Sequence, residues 1–293
     1  MSISSKFHVL VMLSFLVAVQ LIALAITPAI SATDNRVFED PASISNPIIY
    51  MLLILIFTAI LLLAIKLKGD WLVRGFILIS IALTIFYVIS AIMPMWLALL
   101  PTLAVMLLLH YYPEWYILDA FGILVCAAVT SLLGVSMTVM PVIILMVILA
   151  VYDAISVYKT RHMVALAEGA IKMKAPLLFV VPKSRDYSFR RKDAVSISMG
   201  NDKKKGDRGA YFLGMGDAII PSILVISASW SYPPGDILGL NLPALGAMLG
   251  TYAGFILLMT TSRDRPQAGL PFLNSGSILG FLAGCLAAGI QPF

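Results

Sequence analysis

Three aspartates lie inside long hydrophobic stretches of this 293-residue sequence: Asp119, Asp153 and Asp217. An ionised carboxylate is costly in hydrocarbon, so an acidic residue within such a stretch is a candidate functional residue. The other twelve of the fifteen Asp and Glu residues fall in polar segments or at the ends of the stretches. These three side chains are therefore the candidates for chemistry within the hydrophobic stretches.

Asp153 and Asp217 could act as a pair. Two carboxylates held a few ångströms apart cannot both ionise cheaply, so they share a proton, and one serves as base while the other serves as acid. Such a pair can activate water and polarise an amide carbonyl without a metal or a covalent intermediate. It could equally relay protons or cations in a transporter, or form a hydrogen-bonded structural pair. The carboxylates alone leave these alternatives open.

The residues beside the two aspartates favour peptide hydrolysis. Asp217 ends the sequence Gly214-Met215-Gly216-Asp217, and Asp153 follows Tyr152. Glycine allows another backbone to approach closely, as an extended substrate beside a catalytic acid would require. A glycine pair in a membrane helix more often serves helix packing, but here it adjoins an acid with a matching acid on the preceding stretch.

The composition indicates that these residues belong to a membrane protein. The chain is 60% hydrophobic and 12% charged, with a mean hydropathy of +0.98. Soluble domains are roughly 45–50% apolar and about 25% charged, so a soluble globular enzyme is excluded. A spanning helix needs roughly 20 apolar residues. The sequence predicts an all-α polytopic protein with nine spans, at about 8–32, 47–66, 71–93, 94–110, 116–136, 138–160, 210–232, 237–261 and 270–290.

The basic residues predict the orientation of these spans. With a cytoplasmic N-terminus, nineteen of the twenty Lys and Arg residues lie on the cytoplasmic side and only Arg36 lies outside. Cytoplasmic loops carry such an excess, so we expect the N-terminus inside and the C-terminus outside. The single membrane domain then comprises spans one to six (1–160), a cytoplasmic basic loop (161–209) and spans seven to nine (210–293).

This topology sets the depth of each aspartate. Asp153 precedes Lys159 by six residues, roughly 9 Å, and Asp217 follows Arg208 by nine residues, roughly 13 Å. The two carboxylates thus reach similar depth from the same face. Asp119 lies about one turn inside the cytoplasmic end of span five, where we expect it to reach water and to have a structural role.

The first span has a second interpretation. Lys6 precedes an apolar stretch that ends in small residues, Ala29-Ile30-Ser31-Ala32, as in a cleaved signal peptide. The apolar run is long for such a peptide, so we prefer a retained span.

Other kinds of site are disfavoured. The HExxH metalloprotease signature is absent, and His8, His110 and His162 lie near or beyond span ends, where none could activate a mid-membrane serine. Cys126 and Cys285 show no zinc or disulfide spacing. The basic loop, including Arg190-Arg191-Lys192 and Lys203-Lys204-Lys205, is typical of a segment near anionic lipid rather than of nucleic-acid binding.

The sequence resembles the presenilin and signal peptide peptidase family of intramembrane aspartyl proteases. Tyr152-Asp153 in span six is similar to the family's YD motif, and Gly214 to Asp217 in span seven is similar to its GxGD motif. The resemblance covers most of the chain, including the nine spans and the long loop. Without the longer hydrophilic N-terminal region of animal presenilins, the sequence most resembles a compact archaeal homologue. The resemblance implies that Asp153 and Asp217 are the catalytic pair.

The family's third motif, PAL at the start of span nine, has two candidates. Pro271-Phe272-Leu273 stands at the expected position with Phe in place of Ala, whereas a literal Pro243-Ala244-Leu245 lies within span eight. We prefer Pro271 to Leu273 because of its position. Proline near a helix start leaves backbone groups free to line a cavity.

The resemblance also implies the activity and its partners. It implies a GxGD-type endopeptidase of the cell membrane that hydrolyses peptide bonds within transmembrane helices, using activated water and no cofactor or metal. Tyr152, Gly214, Gly216 and the segment Pro271 to Leu273 would contact the substrate. A presenilin-like orientation implies single-span substrates with the N-terminus outside, and nothing in the sequence requires accessory subunits.

Two further features of the sequence predict how its segments pack and pair. Span eight carries Gly246, Gly250 and Gly254, and span nine repeats the spacing at 276, 280 and 284; we expect these stripes to pack helices together. The apolar run 175–181 predicts an extended segment. Because a substrate helix must unwind before hydrolysis, this run or the segment just before span seven would offer it a strand edge.

Overall fold

The computed structural model describes residues 3–33, 37–67, 70–160, 177–183, 210–235, 239–261 and 267–292. Within these ranges the chain forms nine α-helices and one two-stranded sheet. The elements in chain order are α1 (Ile3–Ser31), α2 (Ser45–Lys66), α3 (Asp70–Ser90), α4 (Met95–Tyr111), α5 (Trp115–Ser136), α6 (Val139–Ile155), β1 (Leu178–Pro182), β2 (Ala210–Gly214), α7 (Met215–Ser231), α8 (Leu242–Thr261) and α9 (Leu270–Ala288).

Each predicted span contains one of these helices. Seven of them are long and apolar enough to cross a bilayer, with α6 counted together with its π-helical continuation as far as Lys159. Helices α4 and α7 have 17 residues each and are shorter. In hydrocarbon every backbone N–H and C=O must be satisfied within the chain, which is why long apolar runs become helices. The all-helical membrane fold is therefore confirmed for the described residues. The basic clusters at 190–192 and 203–205, as well as Arg36, lie outside them.

The predicted start of span seven is wrong. Residues 210–214 form strand β2, and the helix begins only at Met215, because Gly214 has the extended conformation φ −63°, ψ 134°. Tyr211 and Phe212 favour strands, and a partner strand satisfies their backbone groups where a helix would otherwise be needed.

That partner strand is β1, which overlaps the apolar run 175–181 that was predicted to be extended. The strands are antiparallel, and Val180 lies opposite Phe212 while Leu178 lies opposite Gly214. The two segments expected to offer a strand edge are thus paired with each other. β2 continues into α7 without an intervening loop.

The helices divide into a buried core and a shell that faces lipid. Helix α7 lies at the centre, packed on α1, α5, α6, α8 and α9, and almost every residue from 218 to 228 is buried. In contrast, only 6% of the residues in the spanning part of α2 are buried, compared with 56% in α5. The apolar surface of α2 and α4 is suited to contact acyl chains.

The small-residue stripes pack α8 against α9, as expected. A methyl group added at Gly250 would collide with the backbone of Gly276, and one added at Gly246 would collide with Gly280. Helix α9 makes its most extensive contact with α8. This contact places the start of α9 beside the core.

Candidate active site

The last turn of α6 holds Asp153. Its side chain is only 5% exposed, and the helix continues into a π-helical turn, Ser156–Thr160. The C-terminal end of a helix carries partial negative charge, so a carboxylate there needs compensation from elsewhere.

The start of α9 supplies that compensation. The backbone N–H of Leu270 donates a hydrogen bond to Asp153 Oδ2 at 3.2 Å, and the backbone of Gly269 also bonds to this carboxyl group. The first N–H groups of a helix have no partner within the helix, and its N-terminus attracts negative charge. Pro271 follows as an early helical residue, where its missing N–H costs nothing.

Asp217 lies in the first turn of α7, again at a helix N-terminus. It is partly buried and contacts the same segment that binds Asp153. A Cβ atom built on Gly269 would lie 2.9–3.0 Å from the three atoms of the Asp217 carboxyl group. One built on Gly214 would lie 3.2 Å from Asp217 Oδ2. Glycine is therefore favoured at both positions, and more strongly at 269.

Three helix ends thus meet around the two carboxyl groups. The backbone of Gly269 and Leu270 bridges Asp153 and Asp217, and the two carboxyl groups are near enough for their charges to interact. Hydrogen-bond donors on one side and a second acid on the other are what a proton-sharing pair needs. Among the described residues, no three His, Cys, Asp or Glu side chains gather as a metal site would require.

The two PAL candidates lie at opposite ends of α9. Residues 271–273 form its first turn, next to the aspartates. Pro243 instead packs beside Gly284, near the far end of α9 and roughly 20 Å away along the helix axis. Only the first candidate adjoins the two carboxyl groups.

Comparisons with known proteins identify the family. The family described as signal-peptide peptidase, presenilin aspartyl protease matches residues 13–290, nearly the whole chain. The chain belongs to this family. It is a multi-pass membrane protein and an intramembrane aspartyl protease, which decides between proteolysis and the transporter alternative.

Two solved structures of a presenilin family intramembrane aspartate protease are similar to this protease. One, in space group C222, is 34% identical with a TM-score of 0.67 and covers 95% of this chain and 97% of its own. The other, in space group P2, is 34% identical with a TM-score of 0.66 and covers 94% and 96%. A search of curated proteins finds no match.

The remaining predicted site residues surround the pair in different ways. Tyr152 is partly buried beside Asp153, and a Cβ built on Gly216 would meet no atom within 4 Å, so the space beside Gly216 is open. Phe272 is partly buried. Leu273 is fully buried in a cluster with Phe179 of β1, so its side chain supports the sheet rather than lining open space.

The sequence alone did not indicate the role of Gly269 and Leu270, whose backbones contact the aspartates. A glycine directly before a proline-containing helix start was the available signal. The position of His8 near a span end likewise did not indicate its surroundings. His8 is 6% exposed, and its Nε2–H donates to Pro182 O at 3.0 Å. His110 is exposed, as expected, and His162 lies outside the described residues.

The expectation that Asp119 reaches water is wrong. Its side chain is 3% exposed, and Oδ1 accepts a hydrogen bond of 2.8 Å from the backbone N–H of Val180. Strand β1 covers this part of α5, and the sequence alone did not indicate that contact.

Proposed function

We propose that Asp153 and Asp217 are the catalytic pair and cleave peptide bonds within the membrane-spanning segments of protein substrates. The observation that carries the proposal is the bridge formed by Gly269 and Leu270, which holds the two acids against one backbone segment. The backbone donors to Asp153 and the open space beside Gly216 leave room near the pair for water and a peptide.

The chemistry follows from sharing one proton between the two acids. The ionised carboxylate takes a proton from a water molecule, and the oxygen of that water attacks the peptide carbonyl carbon. The protonated acid donates its proton to the carbonyl oxygen. The resulting gem-diol passes a proton to the amide nitrogen, and the C–N bond breaks. A carboxylic acid and an amine are released. The pair ends with one proton, as it began.

A peptide-cleavage assay tests the assignment. In proteoliposomes containing a transmembrane peptide, Asp153→Asn and Asp217→Asn should each abolish cleavage, since asparagine can serve neither as base nor as acid. Asp40→Asn, at an exposed loop position, is the matched control and should cleave normally. Cleavage by either active-site variant at the wild-type rate would refute the assignment.

We also propose that the substrate pairs with β2 rather than with β1. The outer edge of β1 is covered, because Val180 N–H bonds to Asp119 and Pro182 O accepts from His8. In an antiparallel pair of strands, hydrogen-bonded and non-hydrogen-bonded residue pairs alternate. Because Val180 directs its N–H to Asp119, Val180 and Phe212 form a non-hydrogen-bonded pair, and the backbone N–H and C=O of Phe212 point away from β1. A strand added there would lie next to the N-terminus of α7 and Asp217.

Backbone methylation of the substrate tests this pairing. N-methyl groups at alternate residues on one side of the scissile bond should block cleavage, whereas the positions between them should tolerate methylation. A matched variant pair in the protease is Phe212→Pro, which removes an outward N–H, and Leu213→Pro, which breaks the ladder with β1. The first should fold without cleaving, and the second should lower stability as well. Cleavage indifferent to methylation would exclude strand pairing.

For the third motif we propose that the segment Pro271 to Leu273 has the role of PAL. Leu273→Ala should then reduce cleavage strongly, because Leu273 is buried in the cluster that supports β1 and α7. Leu245→Ala should have a smaller effect on cleavage. Loss of activity only at Leu245 would reverse the assignment.

The proposed substrates follow from the proposed orientation. With the N-terminus and the 161–209 loop cytoplasmic, the protease would accept single-span proteins whose N-terminus is outside, or their remnants after ectodomain removal. Equal cleavage of a peptide reconstituted in both orientations would contradict this preference. The bilayer is the remaining partner, contacted by the shell helices α2 and α4.

A further inference from the structure

Asp119 has no part in the catalytic pair, yet it is among the most deeply buried acids of the described chain. Its Oδ1 accepts the 2.8 Å hydrogen bond from Val180, and its Oδ2 has no hydrogen-bond partner among the described residues. Leaving one carboxyl oxygen unpaired in an apolar setting is unfavourable. An apolar side chain would fill this space at lower cost, so the contribution of the carboxyl group is its bond to Val180.

That bond holds the middle of the sheet. Val180 is the central residue of β1 and lies opposite Phe212, the central residue of β2. β2 runs directly into α7, and Asp217 lies three residues beyond the end of the strand. Asp119 is thus connected to the active site through one pair of facing strand residues and one uninterrupted stretch of backbone.

The packing around Asp119 supports this connection. One turn further along α5, a Cβ built on Gly122 would lie 3.2 Å from the Phe179 ring, so the helix approaches β1 closely. Phe15 of α1 contacts the same ring, with 5.4 Å between centroids. Phe179, Val180 and Val181 are all buried, so a one-residue slip of β1 would exchange one apolar side chain for another, whereas a hydrogen bond to one named N–H distinguishes the registers.

We propose that Asp119 is a positioning residue that sets the register of β1, and through it of β2, relative to Asp153 and Asp217. It would thereby determine which peptide bond of the substrate is cleaved. This inference rests on the proposed function, in which the substrate pairs with β2. A strand advances about 3.3 Å per residue, so a slip of the sheet would present a neighbouring peptide bond to the aspartates.

Three variants of Asp119 test the inference through cleavage position. Mass spectrometry of the products would locate the cut, and steady-state kinetics would give kcat and KM. Asp119→Ala should distribute cleavage over adjacent bonds and raise KM by roughly fivefold, the scale of one lost buried hydrogen bond. Asp119→Asn retains a carbonyl oxygen for Val180 N–H and should restore the wild-type cleavage position. Should Asp119→Ala not fold, Asp119→Leu fills the space without an acceptor and should show the same spread.

Amide hydrogen exchange provides a direct structural measurement. Val180 N–H should exchange faster in Asp119→Ala than in the wild type, with α8 and α9 unchanged. The matched control is Ser131→Ala, on the same helix, which removes a 2.7 Å hydrogen bond to Ala23 O of α1 and leaves the sheet untouched. Ser131→Ala should lower stability without moving the cleavage site.

The outcomes separate this inference from the function on which it rests. If Asp119→Ala matches Ser131→Ala in cleavage position and in Val180 exchange, the positioning role is overturned. The same holds if Asp119→Asn behaves like Asp119→Ala. Undiminished cleavage by Asp153→Asn would instead remove the proposed catalytic pair, whatever the Asp119 variants show.

Discussion

At the scale of single residues, backbone groups rather than other side chains surround the two aspartates. Asp153 lies at the unfavourable end of α6, and the N-terminus of α9 compensates for its charge through Leu270 N–H. Gly269 lets the same segment lie against Asp217. A side chain at 269 would need space that the carboxyl group occupies, so glycine at this position keeps the carboxyl group of Asp217 in place.

Gly269→Ala should therefore impair cleavage. The added Cβ would lie within 3.0 Å of the Asp217 carboxyl group and displace it from Asp153. We expect kcat to fall on the order of tenfold to a hundredfold, the scale of a small misplacement of catalytic groups. The measurement is steady-state cleavage of a transmembrane peptide. Gly75→Ala, where an added Cβ meets nothing within 4 Å, is the control and should keep full activity. Equal kcat for the two variants would contradict the argument.

At the scale of elements, helix packing positions the site by close backbone approach. The facing stripes of α8 and α9 bring their backbones into contact along the bundle, and that contact determines where α9 begins. Lipid provides no hydrophobic drive between helices, so small residues that permit dense packing supply the attraction. The same elements explain the sheet: β1 and β2 satisfy each other's backbone groups beside the core.

Gly250→Leu should destabilise the bundle. Its side chain would collide with the backbone of Gly276, and a forced separation of α8 from α9 should cost about 1–3 kcal/mol or more. Thermal unfolding in detergent measures the effect, and cleavage should fall in parallel because α9 carries Leu270. The neighbouring Leu249, 65% exposed toward lipid, offers the control Leu249→Ala, which should unfold near the wild-type temperature. Identical unfolding temperatures for the two variants would count against backbone contact as the source of stability.

At the scale of the whole molecule, a protein-covered core lies behind a lipid-facing shell. Helix α1 belongs to the core, since Leu16, Val19 and Ala23 are fully buried against α5 and its neighbours. Removing α1 would expose these residues and withdraw His8 from β1. The packing therefore favours a retained first span over a cleaved signal peptide.

Retention of the first span can be measured directly. N-terminal sequencing and intact-mass analysis of the purified protein should recover residues before Ala32. A mature chain that begins after Ala32 would contradict this expectation and would require α5 and α7 to find another partner.

The orientation of the molecule gives a second test at this scale. Gln291→Cys should react with a membrane-impermeant maleimide in intact cells, while Ser2→Cys should react only after permeabilisation. The native Cys126 and Cys285 are buried and should remain unlabelled. The reverse pattern would overturn the proposed cytoplasmic N-terminus and the substrate preference derived from it.

Several features could be predicted from sequence because they depend on composition. Each of the nine spans holds a helix, and the glycine stripes face each other, since both follow from residue type and spacing. The burial of Asp119, the pairing of residues 210–214 with β1 and the contact of Gly269 with Asp217 could not be predicted. Each of these features depends on contact with a segment that is distant in the chain. A local sequence pattern does not show which distant segments will come into contact.

The sequence by itself determined that the chain spans a membrane and which acidic residues are unfavourable there in their ionised form. Both follow from the free energy of transferring side chains into hydrocarbon. It singled out Asp153 and Asp217 without specifying what lies around them. The tertiary structure decided that the start of α9 bridges both acids, that β1 is held by Asp119, and that α7 occupies the centre. These contacts join helix ends and strand edges whose unpaired backbone groups can be satisfied only when the distant segments are brought together.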